Sequence, residues 1–325
     1  MRKFYSIVVR KRKTVICFFL ILSIISFFMK SMVSVDYDIN DYLPDDSPST
    51  IAIDILGQEF EGGIPNARVM VSNVTIPQAL DYKEKLEAID GVSAVTWLDD
   101  SVDIIAPLDN LDPKVVETYY KDNTALFTVT IEEDKRIEAV AGIEDLVGED
   151  NAIAGSAVAT ADATTNTVSE IQTITVIAVL FVLIVLLATT NYWLEPLVIL
   201  IGLGVAIIIN DGTNLMFGEI SFVTNAAGSV LQLAVSLDYS VFLIHRFEEC
   251  RLENSDPQSA MIDALCKSTS SILSSGLTTV IGFLALVLMR FKIGPDLGLA
   301  LAKGVAISLI VVFVFMPAFI LSVYK

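Results

Sequence analysis

Histidine occurs once in 325 residues, tryptophan twice and cysteine three times. The cysteines match no zinc spacing: Cys17 lies in an apolar run, and Cys250 and Cys266 have only His245 nearby to complete a ligand set. A disulfide framework is equally unexpected from three such scattered thiols. The region between the first two long apolar runs has no histidine, no cysteine, no Ser-Gly nucleophile elbow and no Gly-rich phosphate loop. With no nucleophile–base or metal constellation elsewhere, an enzyme is not expected, and neither is a bound cofactor. Bases are scarce where acids are dense: residues 30–170 carry 29 Asp/Glu against 8 Lys/Arg, a net of −21, leaving 10 acids and 13 bases elsewhere, a net of +3. Such an acidic region repels phosphates, which argues against a nucleic-acid partner.

What the sequence has in excess is apolar length: 54% hydrophobic residues with a mean hydropathy of +0.64. A helix needs roughly 20 mainly apolar residues to cross about 30 Å of hydrocarbon. Six segments approach that: 14–33, 171–188, 193–209, 221–244, 268–289 and 297–321. The first also fits a cleaved signal peptide, but Phe27, Phe28, Met29 and Lys30 stand where a small-x-small cleavage site is expected. The expected fold is therefore a polytopic α-helical membrane protein of six transmembrane helices with one extracytoplasmic α+β domain. Its divisions are 1–33 (basic start and first span), 34–170 (exterior domain) and 171–325 (spans two to six).

Arg2, Lys3, Arg10, Lys11, Arg12 and Lys13 precede the first span and predict a cytoplasmic N-terminus in the cell membrane. Six spans return the C-terminus to the same side and leave 34–170 outside. Arg290 and Lys292 then fall in an outside loop, two bases opposing six.

Within 34–170 the pattern alternates strand and helix. Strands are predicted at 67–72, 92–98, 125–132 and 152–155. Thr75 and Gln78 form a capping box for the helix bearing Ala79, Tyr82, Leu86 and Ile89, which Gly91 stops. A second helix is predicted over 134–147. Two such units predict a βαββαβ, ferredoxin-like domain. Residues 99–123 read as an acidic insertion, in which Asp99, Asp100 and Asp103 cluster without EF-hand spacing.

The most informative residue is Asp238, a carboxylate inside the fourth apolar run. Such groups face a bundle interior or water path and mark ion or proton routes, and burial raises their pKa toward neutral. Tyr239 beside it supplies a hydroxyl. At 100° per residue, Asn225, Ser229, Gln232, Ser236 and Tyr239 share one stripe, with Asp238 nearly opposite its centre, beside Leu231, Val235 and Phe242. Ser271, Ser275, Thr278 and Gly282 recur at helical steps in the fifth run, with Ser274 and Thr279 flanking. They read either as back-bonded hydroxyls that allow close packing or as a hydroxyl lane supporting a relay at Asp238. Lys303 is expected to snorkel to the outer interface rather than pair with Asp238, which lies near the opposite membrane end. His245, Glu248, Glu249 and Arg251 read as boundary and solvated cytoplasmic residues.

The stretch Ser236-Leu237-Asp238-Tyr239-Ser240-Val241-Phe242-Leu243-Ile244-His245-Arg246-Phe247-Glu248-Glu249 resembles the signature of the MMPL branch of the resistance–nodulation–division superfamily. Leu43-Pro44-Asp45-Asp46-Ser47-Pro48, Ser275-Gly276-Leu277-Thr278-Thr279-Val280-Ile281-Gly282-Phe283 and Gly294-Pro295-Asp296-Leu297-Gly298-Leu299-Ala300 are also similar to that family. The resemblance implies a proton-motive-force-driven transporter of lipids or other hydrophobic molecules, with Asp238 and Tyr239 as proton relay and the exterior domain as substrate path. It implies membrane lipids as surroundings, protons as coupling ion and a second transporter half as partner. That half is a second copy, a sibling chain or the remainder of a longer protein. Two other readings share its arrangement: an accessory of protein translocation, and a non-transporting lipid or sterol sensor.

Overall fold

The computed structural model describes residues 1–37, 39–59, 64–103, 112–190 and 192–323. In chain order the helices are α1 (Arg2–Arg10), α2 (Arg12–Lys30), α3 (Pro48–Glu59), α4 (Ile76–Glu87), α5 (Leu98–Ser101), α6 (Pro113–Tyr119), α7 (Arg136–Val147), α8 (Ser156–Thr189), α9 (Glu195–Thr213), α10 (Phe222–Glu253), α11 (Pro257–Leu284), α12 (Ile293–Ile310) and α13 (Met316–Val323). The strands are β1 (Ser34–Asp36), β2 (Ala67–Val71), β3 (Val92–Thr96), β4 (Tyr120–Lys121), β5 (Thr124–Ile131), β6 (Ala152–Ala154) and β7 (Glu219–Ser221). The chain divides into two compact units, Asp45–Ser169 and the remainder, Met1–Pro44 with Glu170–Lys325.

The helical unit makes this a polytopic helical membrane protein. Among the described residues, five helices are long and apolar enough to cross a membrane: Arg12–Lys30, Glu195–Phe217, Phe222–Glu253, Pro257–Leu288 and Ile293–Val323. The count differs from the six expected. The second expected span falls on Thr173–Thr189 of α8, an apolar stretch shorter than the rest. Polar residues, among them Thr164, Thr165, Asn166 and Glu170, precede it in the same helix.

Lipid offers helices no hydrophobic force toward one another, so close packing and interhelical hydrogen bonds must hold them. Gly276 illustrates the first: a Cβ there would sit 2.6 Å from Leu309 Cδ2, so α11 approaches α12 only because this residue has no side chain. Helices α10 and α11 also run well past the apolar stretches predicted for them. Their extensions are joined by Lys267 Nζ on Glu253 Oε2 at 3.1 Å. The basic start is structured as well. α1 buries Tyr5, Val8 and Val9, its Tyr5 hydroxyl meets Thr269 Oγ1 at 2.7 Å, and Arg2 pairs with Asp263 at 3.1 Å.

The smaller unit carries an antiparallel sheet in the order β3-β5-β2-β6, with β4 pairing on β5. Alternation sets its faces: Ala67, Val69 and Val71 of β2 are buried while Arg68 and Met70 point the other way. Val69, Phe127, Leu86, Ile143 and Trp97 share one core, uniting β2, β5, α4 and α7. Full burial of one such large side chain contributes about 2 kcal/mol. The predicted capping box is present, Gln78 Oε1 accepting from Thr75 N at 2.8 Å, and Gly91 ends the segment at φ +89°.

The acidic insertion lies partly outside the described residues. Of its clustered acids, Asp99 and Asp100 take the ammonium of Lys83, with contacts of 2.8 and 2.7 Å. Asp100 Oδ2 also accepts from the Trp97 backbone N–H at 2.9 Å. Burial of the Asp100 carboxyl works against its ionisation, but the Lys83 and Trp97 hydrogen bonds outweigh it and hold its pKa below the usual carboxylate range. These two carboxylates thus fasten α5 to α4.

Candidate functional site

Helix α10 starts where a strand ends. β7 pairs in parallel with β1, and Ser221 then caps the helix, its Oγ accepting from Thr224 N at 3.1 Å. Asp296, at the start of α12, reinforces the cap: its Oδ2 accepts from Ser221 N at 2.8 Å and from the Thr224 hydroxyl.

Further along, the polar stripe of α10 turns inward. Gln232 Nε2 donates to Gly304 O and Ser308 Oγ, both at 3.1 Å, and Ser236 Oγ donates to Ser308 Oγ at 2.6 Å. All three side chains are buried. Ser229 donates to Asp211 at 3.1 Å, and Asp211 pairs with Lys30 of α2 at 2.8 Å. These bonds fix the rotation of α10, and the opposite side of the helix carries Asp238.

Asp238 opens onto a cavity of about 560 Å³ between α10 and α11, lined also by Tyr239, Phe242, Ser271 and Ser275. Its carboxylate is exposed within this chain, contrary to the burial expected of it. Ala234, Val235, Phe242 and Ile272 supply the cavity's apolar lining, and Leu231 and Phe242 on the Asp238 side of α10 are exposed. Among the described residues Asp238 thus lies at an open surface of mixed apolar and hydroxyl-bearing side chains.

Tyr239, by contrast, is buried at 5% exposure. Its hydroxyl donates to Thr279 Oγ1 at 3.4 Å, and Thr279 donates on to the Ser275 carbonyl at 3.1 Å. Ser271 and Ser275 thus join Asp238 and Tyr239 around one cavity. Thr278 does not line it; its hydroxyl donates to the Ser274 carbonyl at 2.9 Å, the back-bonded alternative. Thr279, one of the two flanking hydroxyls, is the closer partner of Tyr239.

Lys303 does not reach Asp238. Its ammonium donates to Asn214 Oδ1 at 2.6 Å and to the Asn210 carbonyl at 3.1 Å, and lies 5.0 Å from the Phe217 ring centre. These partners close the third apolar helix. The run Asn210-Asp211-Gly212-Thr213-Asn214 was the signal in the sequence that a polar station exists there.

The chain is similar to several known proteins, membrane proteins among them. A membrane protein of Methanocaldococcus jannaschii, MJ1562, is 33% identical over 97 residues, 30% of this chain and 25% of that protein. Membrane protein YdfJ of Bacillus subtilis is 24% identical over 328 residues, 96% of this chain and 43% of its own length. Protein translocase subunit SecD of Desulfurispirillum indicum is 27% identical over 122 residues, 38% of this chain and 23% of its own. The chain spans less than half the length of each of these relatives. The MMPL family profile matches residues 41–323, which takes in both units, the open Asp238 face and the Gly-Pro-Asp segment that caps α10. The chain belongs to the MMPL family.

Proposed function

We propose that this chain is one half of a proton-motive-force-driven secondary transporter of hydrophobic or lipid-like substrates, in which Asp238 and Tyr239 exchange the coupling proton. The observation that carries the reading is the Asp238 cavity: an ionisable, exposed carboxylate and a buried phenol line one open cavity between α10 and α11, with the hydroxyls of Ser271, Ser275 and Thr279. An exposed carboxylate there is costly in lipid. A second half seated there would enclose it, and two equivalent faces would bring two carboxylates together as one titrating pair.

In this reading Thr173–Thr189 serves as a sixth span, both termini are cytoplasmic in the cell membrane and residues 34–170 lie outside. The sheet order β3-β5-β2-β6, all antiparallel, supports a ferredoxin-like porter domain in that position. The experiment is transport or growth protection with Asp238→Asn in the full chain. Loss of activity with retained membrane expression supports the relay; undiminished proton-coupled activity refutes it.

The match to a protein translocase subunit favours one alternative, an accessory of protein translocation. Co-purification with a translocation channel would favour it over substrate transport.

A further inference from the structure

The single histidine of the chain, His245, follows Asp238 by seven residues on α10. Seven residues are two turns, about 10 Å along the axis and about 20° around it, so the two side chains share one helix face. Phe242 lies between them on that face and Glu249 one further turn beyond. Two cavities open along this line. One, of about 560 Å³, holds Asp238 and Phe242; the other, of about 780 Å³, holds His245, Tyr192, Glu248, Glu249 and Arg251. Phe242 belongs to the first, and its ring lies 5.8 Å from the Arg246 guanidinium, which is also paired with Glu249.

His245 Nε2 sits 3.3 Å from the Thr189 carbonyl at the end of α8. Only an N–H satisfies a carbonyl, which leaves Nδ1 as the ring nitrogen that takes up and gives back a proton. The other titratable side chains of this cavity are Tyr192 from the α8–α9 connection and Glu248, Glu249 and Arg251 from α10. Among the described residues no titratable side chain of α9, α11 or α12 lines it.

We infer that His245 is the next station of the proton path after Asp238, on the side of the membrane where α10 ends. The inference rests on the proton-coupled reading above and deepens it. The protonated carboxyl of Asp238 releases its proton past Phe242, through water of the two cavities, to Nδ1 of His245. The imidazolium then releases it to water beside Glu248 and Glu249. One proton moves, Asp238 and His245 return to their starting forms, and no co-reactant is consumed.

Because the chain has one histidine, full-length protein labelled with ¹⁵N-histidine in lipid nanodiscs gives one pair of ring signals, and Asp238→Asn is expected to shift them. Unshifted ring signals in Asp238→Asn overturn the inference, and this measurement needs no transport. In proteoliposomes loaded with a pH-sensitive dye, His245→Gln is expected to slow proton uptake about tenfold or more, and His245→Glu to restore part of it. Wild-type uptake by His245→Gln, with Asp238→Asn inactive, overturns this inference alone. Uptake undiminished in Asp238→Asn overturns the relay reading and this inference with it.

Discussion

Gln232 and Ser308, 76 positions apart in sequence, meet at 3.1 Å with both side chains buried between α10 and α12. The contact sets the rotation of the helix that presents Asp238 on its far side. Membrane helices gain little from apolar area against lipid, so the orientation of α10 depends on such polar contacts and on close backbone approach.

Gln232→Leu and Ser308→Ala should each lower stability by about 1 kcal/mol, and the double variant should show a coupling of about 0.6 kcal/mol. Reversible unfolding in mixed micelles measures this. Strict additivity would mean the bond does not fasten the two helices.

Tyr239→Phe removes the hydroxyl that donates to Thr279 but keeps the buried ring. Proton uptake should fall by at least about tenfold while the thermal midpoint stays within experimental scatter, since a positioned proton-transfer group contributes on that scale or more. Thr279→Val should lower uptake in the same direction by a smaller factor. Unchanged uptake in both would remove the hydroxyl chain from the path.

Gly276→Val should destabilise by about 1–3 kcal/mol, because its branched side chain would overlap Leu309 at the α11–α12 crossing. Leu309→Ala in the same chain should recover part of that loss, because it removes the atoms in conflict. Thermal unfolding of the single and double variants tests the pair.

In the smaller unit, Asp100 has a folded pKa held below its usual 3.8 by Lys83 and the Trp97 N–H, against the opposing effect of burial. A depressed folded value stabilises the fold above the unfolded pKa, so this contribution is present from about pH 4 upward and is lost as pH falls through the folded value. Asp100→Asn should cost about 1 kcal/mol at pH 7, a modest figure because solvent screens this half-exposed carboxylate. It should also flatten the acid limb of the unfolding curve. Trp97, fully buried, reports the transition by fluorescence once the exposed Trp193 is replaced by Phe.

Features that depend on local order along the chain were legible in the residues alone. Apolar length marks a membrane segment, because spanning about 30 Å of hydrocarbon depends on consecutive residues. Thr75 and Gln78 marked a helix start because their hydrogen bond closes within one turn. The strands of the smaller unit followed from alternation, and Asp238 stood out because a carboxylate is costly in an apolar run. The tertiary structure decided which groups meet. Lys303 takes Asn214 across 89 positions, Asp296 bonds the cap residue Ser221 across 75, and Tyr5 of the basic start bonds Thr269 across 264. No local pattern encodes such pairs, because they exist only after the helices pack. The same holds for Asp238: its chemistry was legible, but its exposure was not. Whether a face of α10 is buried or open depends on where Gln232 and Ser236 find their partners on α12, which is a property of the assembled bundle.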